Sequence, residues 1–249
     1  MASRGNIEEI FDSVQGEGPL LGCRQLFIRL GGCNLACVYC DTPQARRPAA
    51  TCRIEVEPGT SRYEYLPNTL AVEDVMQVVG NLWLPGHHSV VITGGEPMVQ
   101  ADFLGGLLPV LKEAGHRVYL ETNSTFPDGL PGLLRSIDFV AADIKLPSCS
   151  GEPERFESNR EFIEKCAGGP WLYVKIVISE SVDGDEFVEA VRMVADVVES
   201  PLIVMQPVTS VRGEGQVASS LLLSLQQRAL EIVSDVRVIP RVHQLLRMA

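Results

Sequence analysis

Three cysteines carry most of the chemistry open to this chain. Cys33, Cys37 and Cys40 fall within one octapeptide, Cys33-Asn34-Leu35-Ala36-Cys37-Val38-Tyr39-Cys40, spaced C-x3-C-x2-C. Three thiolates this close can wrap one soft metal centre from a single loop, and Gly31-Gly32 just ahead of them let the backbone turn. Structural zinc takes four protein ligands, usually as two separated pairs. No partner pair follows here, and Cys52 is the nearest candidate for a fourth ligand. An iron–sulfur cubane normally takes four thiolates, so three leave one iron open to another ligand. Cys23, Cys52, Cys149 and Cys166 are scattered and read as ordinary packed thiols. An odd total of 7 cysteines fits poorly with a disulfide framework.

The elements that must position this loop are legible as apolar runs. Density in Val, Ile and Leu with little polar alternation predicts strands over Gln25–Leu30, Ser89–Thr93, Arg117–Thr122, Asp138–Asp143, Trp171–Ser179 and Leu202–Gln206, and a last one over Val236–Ile239. Between them, Phe103, Leu107 and Leu111 make one helical stripe over Asp102–Ala114, with Gly115 as its cap. Phe187, Val191, Val194 and Val198 make another over Asp183–Ser200. Repeated βα units imply a parallel sheet, and six or seven strands fall short of an eight-fold barrel, so the fold class is α/β, a partial barrel of (β/α)6 type. In such sheets function collects at the strand carboxyl ends. The cysteine loop follows the first strand, Thr93-Gly94-Gly95-Glu96-Pro97 the second, and Glu121-Thr122-Asn123, Asp143-Ile144-Lys145 and Gln206-Pro207 end later ones. These residues would ring one mouth. Residues 43–68 break the rhythm with several Pro and Arg, and read as an insertion or flap within a single domain spanning residues 1–249.

The chain has 249 residues, with 21 Lys and Arg against 32 Asp and Glu, a formal net charge of −11. That balance counts against a sequence-independent grip on nucleic acid, which needs cations to displace counterions. It leaves room for small anionic ligands in a local pocket. An apolar content of 45% fits a folded protein rather than a disordered one. No apolar run reaches the ~18–20 residues of a membrane span, and the first residues lack the apolar core of a secretion signal. A cytoplasmic location is the expectation.

The C-x3-C-x2-C loop after a first strand, with Tyr39 before the last cysteine, resembles the radical S-adenosylmethionine (SAM) superfamily. Gly94-Gly95-Glu96-Pro97 resembles that superfamily's GGEP segment. Ile10-Phe11, Val14-Gln15-Gly16-Glu17-Gly18, Phe27 through Leu35 and Cys40-Asp41-Thr42 resemble, more narrowly, the 7-carboxy-7-deazaguanine synthase family. The resemblance implies a partial barrel, typically homodimeric, that converts 6-carboxy-5,6,7,8-tetrahydropterin into 7-carboxy-7-deazaguanine with loss of ammonia, a step towards queuosine and other 7-deazapurines. The cofactors it implies are a 4Fe–4S cluster, SAM and Mg²⁺, with a flavodoxin-type protein as electron donor.

Carried over residue by residue, the resemblance assigns Cys33, Cys37 and Cys40 to the cluster and Thr42 to Mg²⁺. It assigns Val14, Gln15, Gly16 and Glu17 to the pterin, Arg29 to the substrate carboxylate, and Thr93 and His243 to further substrate contacts. Tyr39, Asp41, Gly95 and Glu96 fall beside SAM, Asp143, Ile144 and Lys145 at its ribose, and Gln206, Pro207, Val208 and Thr209 at its adenine. A guanidinium suits Arg29's task because its fork gives a carboxylate two parallel hydrogen bonds. Two other readings remain open here. Asp143-Ile144-Lys145 also resembles the DIK segment of glycyl-radical-enzyme activases, and a non-enzymatic iron–sulfur module would use the cysteines alone. Neither gives Gln15, Arg29 and Thr42 any work.

Overall fold

The computed structural model describes residues 3–208 and 217–246. The chain opens with a short strand β1 (Arg4–Gly5) and a long one, β2 (Ile7–Val14), then enters β3 (Arg24–Leu30). Beyond the cysteine loop lie a hairpin, β4 (Thr51–Glu55) and β5 (Tyr63–Pro67), and the short β6 (Leu70–Ala71), which leads into α1 (Val72–Leu82). The βα rhythm then runs β7 (Val90–Gly94), α2 (Ala101–Glu113), β8 (Val118–Thr122), β9 (Phe139–Ile144), the single turn α3 (Pro147–Ser150), α4 (Phe156–Cys166) and β10 (Trp171–Ile178). It continues through α5 (Gly184–Val197), β11 (Leu202–Pro207), α6 (Ser219–Leu230) and β12 (Asp235–Val238) to α7 (His243–Leu246). Ten strands form one sheet in the order β12-β11-β10-β9-β8-β7-β3-β2-β4-β5. From β12 to β3 every neighbouring pair is parallel, and β2 runs antiparallel to β3. The sheet is a partial barrel with free edges at β12 and β5.

Two features differ from the expectation drawn from the sequence. β2 is a full member of the sheet, although its mixture of carboxylates with Ile and Phe hid it. Residues 43–68 are more than a flap: β4 pairs in parallel with β2, and β5 pairs antiparallel with β4, so the insertion extends the sheet by two strands. The helices end close to where the sequence placed them. Asp183 caps α5 by accepting from the amides of Asp185 (2.8 Å) and Glu186 (3.3 Å). Gly115, at φ +85°, closes the end of α2 with a bond from its amide to the Lys112 carbonyl.

Strand alternation sorts the side chains into two layers. Residues such as Leu26, Ile28, Ile92, Leu120, Val140, Ile176 and Ile203 face the helices and form the larger core. Their neighbours face the barrel interior, where Phe11, Phe27, Val91, Tyr119, Ala141, Tyr173 and Val204 form a smaller apolar floor. Two residues further along each strand, on the same face, stand Arg29, Thr93, Glu121, Asp143, Lys175 and Gln206, all lining the cavity above that floor. The antiparallel β2 contributes Glu9 in the same way. A polar ring above an apolar floor is therefore a direct product of period-two alternation.

Candidate active site

The polar ring surrounds a cavity of about 390 Å³ at the carboxyl ends of the parallel strands, within the size range of small-molecule sites. Cys33, Cys37 and Cys40 line one wall, and all three thiols are free. The loop that holds them is stitched to its neighbours through backbone bonds. The amides of Gly32 and Cys33 donate to the carbonyls of Ala45 (2.8 Å) and Arg46 (3.1 Å), and Val38 donates to Ser150 (2.9 Å). Arg46 in turn donates to the Cys37 carbonyl. The Gly94-Gly95-Glu96 segment is tied to the same loop, with Gly95 donating to Leu30 (3.0 Å) and Glu96 to Gly32 (2.8 Å).

The thiols suit a multinuclear centre. Structural zinc takes four protein ligands whereas an iron–sulfur cluster can leave one iron to another ligand, so three thiols on one loop favour the cluster. An iron–sulfur cluster is several atoms across and needs its thiols spread around a shared space. Burial pushes the Cys37 thiol up to about 11, so a thiolate forms there only against strong positive charge such as iron. Cys52, Cys149 and Cys166 are buried away from the cavity, as expected of packed thiols, and Cys23 also lies outside it.

The wall beside the thiols carries polar atoms that lack a protein partner. Asp143 Oδ1 and Gln206 Oε1 are buried and unbonded among the described residues, and both side chains line the cavity. Buried acceptors left unpaired are costly, so this wall fits a ligand bearing donors, such as the hydroxyls and amino group of an adenosine. Lys145 Nζ donates to Asp143 Oδ2 (2.7 Å) and stands 5.6 Å from the centre of the Tyr39 ring. Burial works against its charge, but Asp143 outweighs that and holds the ammonium above its ordinary range. Val208 also lines this wall, whereas Pro207 does not. Ile144 is fully buried in the helix-side core, since alternation turns it away from its neighbours, and its expected contact is limited to backbone. Thr209 lies outside the described residues.

Glu96 lines the cavity beside Gly94 and Gly95. Its carboxylate is fully buried and accepts from the Met98 amide (2.9 Å), Thr122 Oγ1 (2.7 Å) and the Asn123 amide (2.6 Å). These bonds tie the second loop to the end of β8. Burial nonetheless raises its pKa, with those bonds opposing.

The opposite wall is built from Arg29, Thr93, the loop 14–17 and the C-terminal segment. Arg29 and Thr93 are direct partners in the β3–β7 register. The Gln15 amide group is fully engaged: it donates to Gln25 Oε1 (3.0 Å) and Glu121 Oε1 (2.9 Å), and accepts from the Glu17 amide (3.0 Å). Gln15 therefore shapes the loop while also lining the cavity. Gly16 is obligatory, because a Cβ there would lie 2.3 Å from His243 Nδ1. The Val242 amide donates to the Gly16 carbonyl (2.9 Å), so the C-terminal segment is pinned over the cavity with His243 in its wall. Burial keeps His243 below the usual imidazole range, favouring its neutral form.

Four charged cavity residues were not among the sequence candidates: Glu9, Arg53, Lys175 and Arg241. Lys175 is half of a partly buried ion pair with Glu17 (2.5 Å) and also reaches Asp143 (3.0 Å). A lone Lys inside the apolar run Trp171–Ser179 was the available signal. Arg241 bonds Asp41 beside the cysteine loop and approaches Glu17 at 3.9 Å. Burial opposes ionisation of Glu17, but Lys175 and Arg241 together bring its pKa down to about 2. Thr42 lines the cavity at the head of the turn Pro43–Arg46 and makes no capping bond, so its hydroxyl is not committed to the turn.

An open parallel barrel with a three-thiol loop after its first parallel strand, a glycine-rich second loop and an adenosine-suited wall defines a radical SAM enzyme. Residues 27–205 match the Radical SAM superfamily, to which this chain belongs. It is 39% identical over 244 residues to the 7-carboxy-7-deazaguanine synthase of Geobacter sulfurreducens, a match covering 96% of each chain. It is 34% identical to the enzyme of that name from Archaeoglobus fulgidus, covering 98% of each. The crystal structure of QueE from Escherichia coli shares the fold, with a TM-score of 0.63 at 21% identity over 94% of this chain and 92% of that one. Within the superfamily, the chain belongs to the 7-carboxy-7-deazaguanine synthase family. That membership sets aside the activase and bare-cluster readings.

Proposed function

We propose that this chain converts 6-carboxy-5,6,7,8-tetrahydropterin into 7-carboxy-7-deazaguanine with loss of ammonia, in 7-deazapurine biosynthesis. The observation that carries the reading is a single cavity with two chemically distinct walls, thiols with unpaired acceptors on one side and Arg29 with Thr93 on the other. Cys33, Cys37 and Cys40 would hold a 4Fe–4S cluster, with SAM against Asp143, Lys145, Gln206 and the Gly94-Gly95 backbone, and together these groups supply hydrogen-abstracting radical chemistry. Thr42 would offer its hydroxyl to Mg²⁺, a hard cation that accepts one protein oxygen among waters and substrate oxygens.

The protein's own contribution is to bind, orient and exclude. Arg29 meets the substrate carboxylate, and the backbone of residues 14–16 meets the pterin edge. Phe11 and Phe27, with ring centres 5.1 Å apart, floor the cavity beneath the reacting ring. Tyr119 and Tyr173 bond one another at 2.6 Å, and burial, foremost, raises both pKa values. One of the two hydroxyl protons is thus taken up in that bond and unavailable as a stray donor. Exclusion of this kind matters more for radical chemistry than an acid–base pair does.

A homodimer, a flavodoxin-type electron donor and a cytoplasmic location complete the proposal. Among the described residues no helix is long and apolar enough to cross a membrane. The test is anaerobic reconstitution with iron and sulfide, followed by SAM, Mg²⁺, a reductant and the carboxylated tetrahydropterin, with 7-carboxy-7-deazaguanine as the expected product. SAM cleavage without that product would retain the superfamily chemistry and sink the substrate.

A further inference from the structure

The insertion that extends the sheet also brings a charge into the substrate wall. Arg29, Glu9 and Arg53 occupy one row across three adjacent strands: Glu9 faces Arg29 in the β2–β3 register and Arg53 in the β2–β4 register. All three side chains line the cavity. Glu9 is buried, and its two oxygens are divided between the arginines. Oε1 accepts from Arg29 Nε at 2.8 Å, and Oε2 accepts from Arg53 Nε at 3.1 Å and from Arg53 Nη2 as well. Each guanidinium is steadied by a ring, Arg29 over Phe11 at 5.5 Å and Arg53 over Tyr63 at 4.3 Å. Tyr63 belongs to the same hairpin as Arg53.

Charge along this row decides what it can bind. Two guanidiniums and one carboxylate leave one positive charge, which matches one substrate carboxylate. Without Arg53, Glu9 would neutralise Arg29 and present its own charge to an incoming anion. The bond from Arg29 to Glu9 engages only Nε, so the terminal nitrogens of the fork remain for a second carboxylate. Glu8, the next residue along β2, lies within electrostatic reach of both arginines but does not line the cavity.

We propose that Arg53 is a positioning residue for anionic substrate: by holding Glu9, it keeps Arg29 available to a carboxylate on the pterin ring. The proposal rests on the reading that Arg29 meets that carboxylate. It gives the 43–68 insertion a function, namely supplying the counter-charge that makes this wall selective for a carboxylated ring.

The test is equilibrium binding to the reconstituted, unreduced enzyme under anaerobic conditions, comparing 6-carboxytetrahydropterin with tetrahydropterin lacking the carboxylate. Arg53→Gln should weaken the carboxylated ligand about five- to tenfold and leave the other within about twofold. Arg53→Lys, which keeps the charge but loses the second nitrogen and the stacking on Tyr63, should fall between wild type and Arg53→Gln; a loss as large as that of Arg53→Gln would overturn the charge argument. In turnover, the same Gln variant should raise KM with kcat largely retained. Adding Glu9→Gln to Arg53→Gln should restore binding of the carboxylated ligand, because the uncompensated anion is then gone. Unchanged binding in Arg53→Gln, equal loss of both ligands, or no restoration in the double variant would each overturn the proposal. Arg29→Gln separates the two layers of the argument. If it too keeps its preference for the carboxylated ring, the reading of Arg29 fails and takes this proposal with it. If it loses that preference while Arg53→Gln does not, only the role of Arg53 falls.

Discussion

Lys175 Nζ lies 2.5 Å from Glu17 Oε2 in the loop after β2 and 3.0 Å from Asp143 Oδ2 on the facing wall of the cavity. One cation on β10 therefore fixes both walls of the cavity relative to each other. Lys145 adds a second bond to the same Asp143 oxygen, at 2.7 Å. The remaining oxygen, Oδ1, has no partner among the described residues. The network thus orients an acceptor into the cavity while neutralising the charge behind it.

Removing that cation should be severe. Lys175→Met leaves the buried Asp143 and the partly buried Glu17 with less compensation, and breaking such a pair from one side costs up to about 3–5 kcal/mol. Urea unfolding of the variant at neutral pH should show a loss of that order. A loss below about 1 kcal/mol would mean that water reaches the pair and that it behaves as a surface bridge.

The same network makes a pH prediction with a definite sign. Glu17 has its folded pKa at about 2, below the ordinary value of 4.5. Its contribution is fully present above pH ~4.5 and is lost as pH falls through the window down to ~2. A shift of this size corresponds to a contribution on the order of 3 kcal/mol. The stability gap between wild type and Glu17→Gln should therefore be widest near neutrality and should close between pH 4.5 and 2 in chemical denaturation. A gap that stays constant across that window would show that Glu17 acts through packing instead.

The thiols divide cleanly into two sets. Cys33→Ala, Cys37→Ala and Cys40→Ala should each lose most of the iron that reconstitution installs, whereas Cys166→Ala and Cys149→Ala should retain it. Both of the latter are buried outside the cavity, so their substitution costs packing and nothing at the cluster. Iron and sulfide content, with the visible absorbance of the reconstituted protein, checks this directly. Retained iron in Cys37→Ala would sink the ligand assignment.

What the sequence disclosed, and what it withheld, follows from the range of each interaction. The cysteine loop was legible because its three thiols sit within eight residues of chain, and Arg29 and Thr93 because the motifs around them resemble a known family's. Glu9 with Arg53, Glu17 with Lys175, and Asp41 with Arg241 are separated by 44, 158 and 200 residues. Nothing local announces such pairs. Residues 43–68 hid their strands because the Pro and Arg content suggested a loop, and because β5 is largely exposed and has no apolar alternation to detect. For Glu96 the motif position was readable, but its bonds to Thr122 and Asn123 at the end of the next strand were not.

Gly95 offers the sharpest test of how the two loops are joined. A Cβ there would lie 2.2 Å from the Gly32 carbonyl oxygen and 2.5 Å from that of Ala45. Both obstacles are backbone, so no rotamer change relieves them, and the Gly95-to-Leu30 bond of 3.0 Å leaves no slack. Gly95→Ala must push the glycine-rich segment away from the cysteine loop, at a cost of about 1–3 kcal/mol for an overpacked site. Because Gly32 immediately precedes Cys33, iron retention should fall along with stability. Gly105→Ala is the matched control: it sits within α2 with nothing inside 4 Å of its would-be Cβ. Helix propensity predicts that the control is stabilised by about 0.5–1 kcal/mol. Thermal unfolding and iron content of the two variants, measured side by side, decide the matter. If Gly95→Ala holds iron and melts as wild type does, the two loops are not coupled through this contact.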